Sequence, residues 1–406
     1  MTSTHSLPSA RAQGTAWEVF KVFLKLGLTS FGGPVAHLSY FRSEFVEGRQ
    51  WLEEQEYADL VTLCQFLPGP ASSQVSFALG MHRAGILGAL AAFLAFTLPS
   101  ALLLVLFAAG ASLFFGPTGE GLLAGLKLVA VAIVAQAVLG MAKSLAPDRQ
   151  RASIAVLAAG CSLLLAGSAG QVIAILLGAL AGYLFCRSSS ELSSRALYVP
   201  VGRGLSIASA VFFMVLLLGL PLIVAVNDSG SLQLFATFYQ AGSLVFGGGH
   251  VVLALLHSSV LDAGWVSSQE FLAGYGAAQA VPGPLFTFAA YLGAVSSLGP
   301  GGLLGAGIAL LAIFLPGFLL LLGVLPVWNF LRQRLWLQAL MRGANAAVVG
   351  LLAAALYTPV FSTAVSGAFS FILAMACFVL LTVWKLPPWV VVLVGAAAGA
   401  VFVPCL

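Results

Sequence analysis

Two stretches set helix breakers and hydrogen-bonding side chains inside sequence that is otherwise apolar. The first is Gln65-Phe66-Leu67-Pro68-Gly69-Pro70-Ala71-Ser72-Ser73-Gln74. The second is Gln279-Ala280-Val281-Pro282-Gly283-Pro284-Leu285-Phe286-Thr287, so Gln-x-x-Pro-Gly-Pro recurs at an offset of 214 residues. Proline removes a backbone donor and clashes with the preceding turn, and glycine adds freedom, so each triplet is expected to end one helix and start another. Pro70 suits the first turn of the new half-helix. The chemistry such residues permit is reversible binding rather than bond making. Inside a bilayer, irregular backbone is tolerated only where protein or a wet cavity satisfies it, and a break in each half of a chain points to a transport site. The sequence offers no Ser-His-Asp or Cys-His arrangement, no Walker-type glycine loop and no metal-spaced cluster. An enzyme is therefore not expected, nor is a resident metal or other cofactor.

Ionisable residues within apolar segments are the next candidates, because burying a charge in a membrane is costly and reads as functional by default. Lys127 and Arg342 qualify. Gly125-Leu126-Lys127 aligns with Gly343-Ala344-Asn345, and Arg342 itself pairs with Ala124. The alternative for each is a snorkelling position near a helix end; it is preferred for Arg342, and Lys127 is kept as a site residue. Lys21 and Lys25 share a helix face and read as interface anchors. His37 and His250 follow glycine-rich breaks, six and four residues after Phe31 and Phe246, and Asp59 lies inside the first Pro-Gly-Pro segment. These three are the candidates for proton coupling, weighed against the commoner role of a satisfied hydrogen-bonding group. The five cysteines are scattered through apolar sequence, where cysteine acts as a small hydrophobe.

The elements that must position these residues follow from composition. With 60% hydrophobic and 7% charged residues among 406, and a mean hydropathy of +1.05, the chain reads as a polytopic helical membrane protein. Residues 1–16 are short and polar without a signal-peptide h-region, so a cytoplasmic tail is expected there. Apolar segments fall at about 17–46, 57–80, 84–115, 119–145, 150–167 and 170–186, and again at about 231–260, 269–296, 301–328, 335–360, 364–383 and 387–404. A further run at about 204–226 links the two sets. Local matches fix the register: Phe31-Gly32-Gly33 with Phe246-Gly247-Gly248, Trp51 with Trp265, Gln55-Glu56-Tyr57 with Gln269-Glu270-Phe271, and Leu98-Pro99 with Leu315-Pro316.

Basic residues set the orientation, since short cytoplasmic loops carry an excess of Lys and Arg. In the first half they fall in the N-terminal tail (Arg11), in the loops after the first, second and fourth segments (Arg42 and Arg49; Arg83; Lys143, Arg149 and Arg151), and in the exit linker. In the second half only the loops after the third segment (Arg332, Arg334) and the fifth (Lys385) are basic. This complementary pattern predicts an all-α fold of two inverted-topology repeats with broken or re-entrant helices, joined by a linking transmembrane helix. The expected divisions are a cytoplasmic tail at 1–16, a first repeat at 17–187, a linker at 188–230 containing the helix 204–226, and a second repeat at 231–406. The first two segments of each half are read as re-entrant because tail, first loop and second loop all look cytoplasmic.

Leu28-Thr29-Ser30-Phe31-Gly32-Gly33-Pro34-Val35-Ala36-His37-Leu38, then Trp51-Leu52, Tyr57-Ala58-Asp59-Leu60 and Cys64 through Gln74, strongly resemble the chromate ion transporter family. The likeness covers essentially the whole chain and is to the long, two-domain type, whose second copy here carries Phe246-Gly247-Gly248-Gly249-His250 and the second Pro-Gly-Pro. What it implies is a multi-pass protein of the bacterial plasma membrane, N-terminus cytoplasmic, that exports chromate and so confers resistance to it, with sulfate as a competing look-alike. Transport of sulfate or another oxyanion is the alternative. A membrane sensor or scaffold is the alternative of another class, and it lacks a soluble signalling module in its favour. The partners implied are the oxyanion and the lipid bilayer, with a second copy of the chain as a candidate and no nucleic acid.

A tetrahedral dianion needs converging N–H and O–H donors in a positive potential, and helix N-termini supply both. Substrate binding is thus assigned to Gly32, Gly33, Gln65, Pro68, Gly69, Pro70, Ser72, Ser73 and Gln74 in the first half. In the second half it is assigned to Gly247, Gly248, Gly249, Gln279, Pro282, Gly283, Pro284 and Thr287, with Lys127 as the buried cation. Glycine and proline in membrane helices ordinarily serve close packing or kinks; two motif types at matching positions in both halves favour function.

Overall fold

The structure, a computed structural model, describes residues 14–31, 33–110, 117–165, 168–187, 201–245, 251–261, 263–331 and 333–401. Gly32, Gly247, Gly248, Gly249 and His250 lie outside the described residues. Every regular element among the described residues is helical.

The first helix, α1 (Ala16–Thr29), is capped by Thr15, whose hydroxyl accepts from the Glu18 N–H, and stops at Ser30. α2 (Gly33–Arg42) winds into a π-helical turn, Ser43–Gly48. α3 (Glu54–Phe66) ends before Pro68-Gly69-Pro70, and α4 (Ala71–Ala109) begins directly after it, as the missing proline donors require. α4 is not one rod. Ala84 and Gly85 leave helical angles, and Gly80 abuts the Gly88 carbonyl and the Ala92 methyl. In a continuous helix residue 92 would stand about 18 Å from residue 80, so the arms 71–83 and 86–109 form a hairpin. The arm 71–83 is a half-helix that carries Ser72, Ser73 and Gln74 at its start.

α5 (Pro117–Leu145), α6 (Arg149–Leu164) and α7 (Ser168–Phe185) follow, and α8 (Arg203–Val226) leads into the second half. There α9 (Gly230–Leu244) and α10 (Val251–Leu256) precede α11 (Ser268–Ala280), which ends before Pro282-Gly283-Pro284. A 3-10 turn, Leu285–Thr287, then leads into α12 (Phe288–Val295) and α13 (Gly302–Val324). Gly293 of α12 abuts the Gly305 carbonyl and the Ala309 methyl of α13, repeating the Gly80, Gly88 and Ala92 contact within one residue of the matching positions. The chain closes with α14 (Trp328–Leu331), α15 (Leu335–Ala355), α16 (Ser362–Ala364), α17 (Ala368–Thr382) and α18 (Pro388–Val401). Five helical stretches among the described residues are long and apolar enough to cross a bilayer: Ala71–Ala109, Gly121–Leu145, Arg203–Val226, Gly302–Val327 and Leu335–Ala364. The molecule is an all-α, multi-pass membrane protein.

Its ends are held by two clusters. In one, the Gly14 N–H donates to the Arg83 carbonyl at 3.0 Å, Arg83 pairs with Glu18 at 3.0 Å, and its guanidinium lies 5.1 Å from the Trp51 ring. In the other, the Ser297 N–H donates to the Trp265 carbonyl at 2.9 Å and Gly230 packs on Gly299. α13 starts beside the second cluster and leads to Trp328, whose indole N–H donates to Asp59 of α3, within two turns of the first cluster. At 1.5 Å per residue α13 spans about 34 Å, so the clusters stand a membrane thickness apart.

The two sequence halves interlock rather than pack as separate bodies. α5 packs on α17 and α18, and α15 packs on α6 and α7. Glycines make both crossings close: Gly125 meets the Gly395 carbonyl and Gly399 the Gly121 carbonyl, while Gly343 meets the Gly178 carbonyl and Gly182 the Ala339 carbonyl. Without side chains at these points the backbones approach closely, which is how helices associate when lipid is as apolar as their own side chains.

Candidate functional site

The two Pro-Gly-Pro breaks are tied to the opposite half by reciprocal backbone bonds. Gly69 N–H donates to the Val245 carbonyl at 2.7 Å, and Gly283 N–H donates to the Ser30 carbonyl at 2.9 Å. Ser30 and Val245 are themselves matching positions, each one residue before a Phe-Gly-Gly break. Both glycines have positive φ, +123° at Gly69 and +103° at Gly283, a conformation that side chains rarely adopt. Each also rests on the residue after a helix proline of the other half: Gly69 on Gly317, which follows Pro316, and Gly283 on Ser100, which follows Pro99.

Between the second break and the start of the 71–83 half-helix the contacts form a continuous polar cluster. The Ser30 carbonyl accepts from Gly283 and also from His37 Nε2, 3.2 Å away; the other ring nitrogen, Nδ1, is 3.5 Å from Ser72 Oγ. With Nε2–H donating to a carbonyl, Nδ1 of the neutral ring accepts the Ser72 proton. The His37 ring stands edge-on to Phe96, 5.3 Å between centroids, and the next residue on α4 is Thr97. Ser100 Oγ donates to the Thr97 carbonyl at 3.1 Å. Gln74 spans the halves, its Nε2 donating to the Pro68 carbonyl at 3.0 Å and to the Gly317 carbonyl at 2.9 Å.

Most buried polar groups in proteins find a partner. Around these residues several do not: Ser30 Oγ, Ser73 Oγ and Thr97 Oγ1 make no hydrogen bond among the described residues, and Gln74 Oε1 is likewise unpaired. Ser30, Ser73 and Thr97 are all 1% exposed or less. Ser73 itself lies in the first turn of the 71–83 half-helix, where the amides are free and the aligned peptide dipoles amount to about +0.5 of a charge. The arrangement is a neutral nest of O–H and N–H donors in a positive field, suited to a desolvated anion.

The remaining sequence-predicted residues lie as follows. Gln279 is buried just before the second break, where its side chain hydrogen-bonds that of Tyr275, whereas Gln65 is exposed. Gly33, with φ +77°, opens α2. Pro68, Pro70, Pro282 and Pro284 form the breaks, with Pro70 and Pro284 in extended backbone just before the next turn of helix. The Thr287 hydroxyl donates to the Pro284 carbonyl at 2.7 Å, so its proton is already used. Lys127 is half-buried on α5 next to Leu126, whose carbonyl abuts Gly276, one turn before Gln279. Arg342, two turns inside α15, donates to the Cys186 carbonyl just past the end of α7 at 3.1 Å and to Gln338 Oε1 at 3.3 Å. Buried Asp59 accepts from the Trp328 indole at 3.3 Å, away from the serine cluster. The sequence reasoning missed Ser30, Thr97 and Ser100. The signal was present: Ser30 directly precedes Phe31-Gly32-Gly33, and Thr97 and Ser100 bracket Leu98-Pro99, the dipeptide that aligns with Leu315-Pro316.

Comparison with known proteins gives the same answer over most of the chain. The family model described as chromate transporter matches residues 17–183 and 232–400. A probable chromate transport protein of Synechococcus elongatus is 28% identical over 399 residues, covering 95% of each chain. The chromate transport protein of Pseudomonas aeruginosa is 28% identical over 342 residues, 83% of this chain and 79% of its own. An uncharacterized transporter of Methanocaldococcus jannaschii is 27% identical over 350 residues, 85% of this chain and 84% of its own. No solved structure matches the chain.

Proposed function

The chain belongs to the chromate transporter family, and from that premise we propose that it is a secondary transporter exporting chromate across a bacterial plasma membrane, with sulfate as a competing substrate. The observation that carries this reading is the set of unpaired buried hydroxyls, Ser30, Ser73 and Thr97, with Ser73 in the first turn of a half-helix that starts at a membrane helix break. A tetrahedral dianion fits those donors, and each hydrogen bond to a charge contributes about 1.5–3 kcal/mol. Export needs no chemical energy source: a divalent anion leaving a negative-inside cell gains about 4.6 kcal/mol per 100 mV.

The working arrangement is two repeats of opposite orientation, 17–187 and 231–406, with the N-terminus in the cytoplasm. It is supported by the basic residues of the first end cluster (Arg83 over Trp51, with Arg42 and Arg49 shortly before Trp51) and by the absence of Lys and Arg from Gly204 to Leu331. The short helices α1, α3, α9 and α11, each about 20 Å long, reach only partway into a bilayer before their breaks.

The test is chromate uptake into proteoliposomes at set voltage, with sulfate in competition. The Ser72/Ser73 double alanine variant is expected to lose well over tenfold in affinity, because a donor to a charged group is removed from a buried site. Ser73→Asp should lose more, since it puts negative charge where the dianion would sit. Unchanged affinity in a folded, inserted double variant, with flux abolished by Lys127→Gln alone, would instead assign the attraction to the buried cation.

A further inference from the structure

The two halves match in helix order and backbone contacts but not in polarity. Aligned through their shared motifs, Ser30 corresponds to Val245, Ser72 to Phe286, Gln74 to Phe288, Thr97 to Phe314 and His37 to Val252. At every one of these pairs the first half carries a polar side chain and the second an apolar one. Ser73 corresponds to Thr287, whose hydroxyl is committed to the Pro284 carbonyl within its own turn. The second break enters its helix through a 3-10 turn, which tightens the first amides, whereas the first break passes directly into α-helix. Phe286 lies 5.8 Å from Phe314, and Phe314 lies 5.2 Å from Phe93 and 6.0 Å from Phe318, so aromatic rings stand where the first half has donors.

We propose that the chain binds a single oxyanion, at the start of the 71–83 half-helix, through Ser30, Ser73 and Thr97, with the Gly283 break, whose N–H holds the Ser30 carbonyl, as the contribution of the second half, and that the aromatic turn after Pro284 holds no anion of its own. This rests on the oxyanion-transport reading above and narrows it from two symmetric half-sites to one. The donors on the first side are buried and unpaired, so they are available without breaking any bond within the protein. On the second side an anion would meet aromatic rings, which offer it no N–H or O–H donor to replace its water. Thr97 is a substrate-binding residue in this scheme and Phe314 its non-binding counterpart.

The experiment is the stoichiometry of radiolabelled chromate and sulfate on the purified full-length chain in lipid nanodiscs, repeated with Thr97→Val and with Thr97→Ser. One equivalent per chain, weakened tenfold or more by Thr97→Val and restored to within a few fold by Thr97→Ser, is the expected result. The rescue by serine separates loss of the donor from loss of the fold. Two equivalents per chain would overturn the single-site proposal while leaving oxyanion transport standing. One equivalent indifferent to Thr97→Val would also overturn it, by putting the anion elsewhere. No binding of either anion, together with no flux in liposomes, would remove the transport reading itself.

Discussion

Replacing Gly69 with alanine tests whether the break is held by contact between the halves. At φ +123° a side chain strains the backbone by about 1–3 kcal/mol. The added methyl would stand 2.9 Å from Gly317 Cα and 3.0 Å from Gln74 Nε2. Gln74 can move only by giving up its bonds to the Pro68 and Gly317 carbonyls, and Gly317 is α13 backbone that cannot rotate away. Shifting residue 69 instead stretches its own bond to Val245. Two or three hydrogen bonds at about 1 kcal/mol each, added to the strain, give a loss of about 3–6 kcal/mol. Gly283→Ala carries similar strain at φ +103°, but its nearest obstacle is Ser100 Oγ at 2.9 Å, which can turn by giving up its one bond to the Thr97 carbonyl, with the Phe96 carbonyl next at 3.2 Å. Its loss is expected to be the strain and that one bond, about 2–4 kcal/mol, and Ser100→Gly should relieve part of it. The assay is thermal unfolding of the purified full-length protein in detergent, comparing the two variants and the Gly283→Ala/Ser100→Gly pair. A Gly69→Ala protein as stable as the parent, or more stable than Gly283→Ala, would refute the contact argument.

Trp328→Phe keeps the ring against Phe66 but removes the donor to the buried Asp59 carboxylate, and thermal unfolding should register a loss of about 1.5–3 kcal/mol. Gly125→Val and Gly343→Val each drive a side chain into a backbone carbonyl of the other half, so both should lower the yield of monodisperse protein on size exclusion, while Gly140→Ala, with open space around it, should not. Asp148 caps α6 by accepting the Arg151 N–H, and that bond, foremost, holds its carboxyl below the ordinary range. The folded value being depressed, its contribution is present above the unfolded value and fades as pH falls through the folded one. Asp148→Ala should therefore speed hydrogen exchange in the first turn of α6 at neutral pH, by about 0.5–2 kcal/mol of capping energy, and should have no effect at pH well below about 3.9.

Local chemistry dictates much of this molecule. Apolar content high enough to exclude a soluble domain makes it a helical membrane protein, and proline without an N–H ends α3 and α11 where Pro68 and Pro282 stand, whatever packs around them. The family could be read from motifs around His37 and Gln74 because those motifs are long. What one-dimensional order could not reveal is which hydroxyls are left without partners. Ser73 and Thr287 look equivalent in the two motifs, yet one is a free donor and the other bonds the carbonyl three residues back, a difference set by whether the chain enters α-helix or a 3-10 turn. Thr97 lies far from either motif and enters the cluster only because α4 folds back at Ala84 and Gly85 and lays Phe96 against His37. Nor does a repeat announce that its halves interlock: α5 meets α18, and α15 meets α7, because stripes of glycine on helices remote in sequence leave room for backbone to touch backbone, and only the tertiary fold decides which stripes find each other.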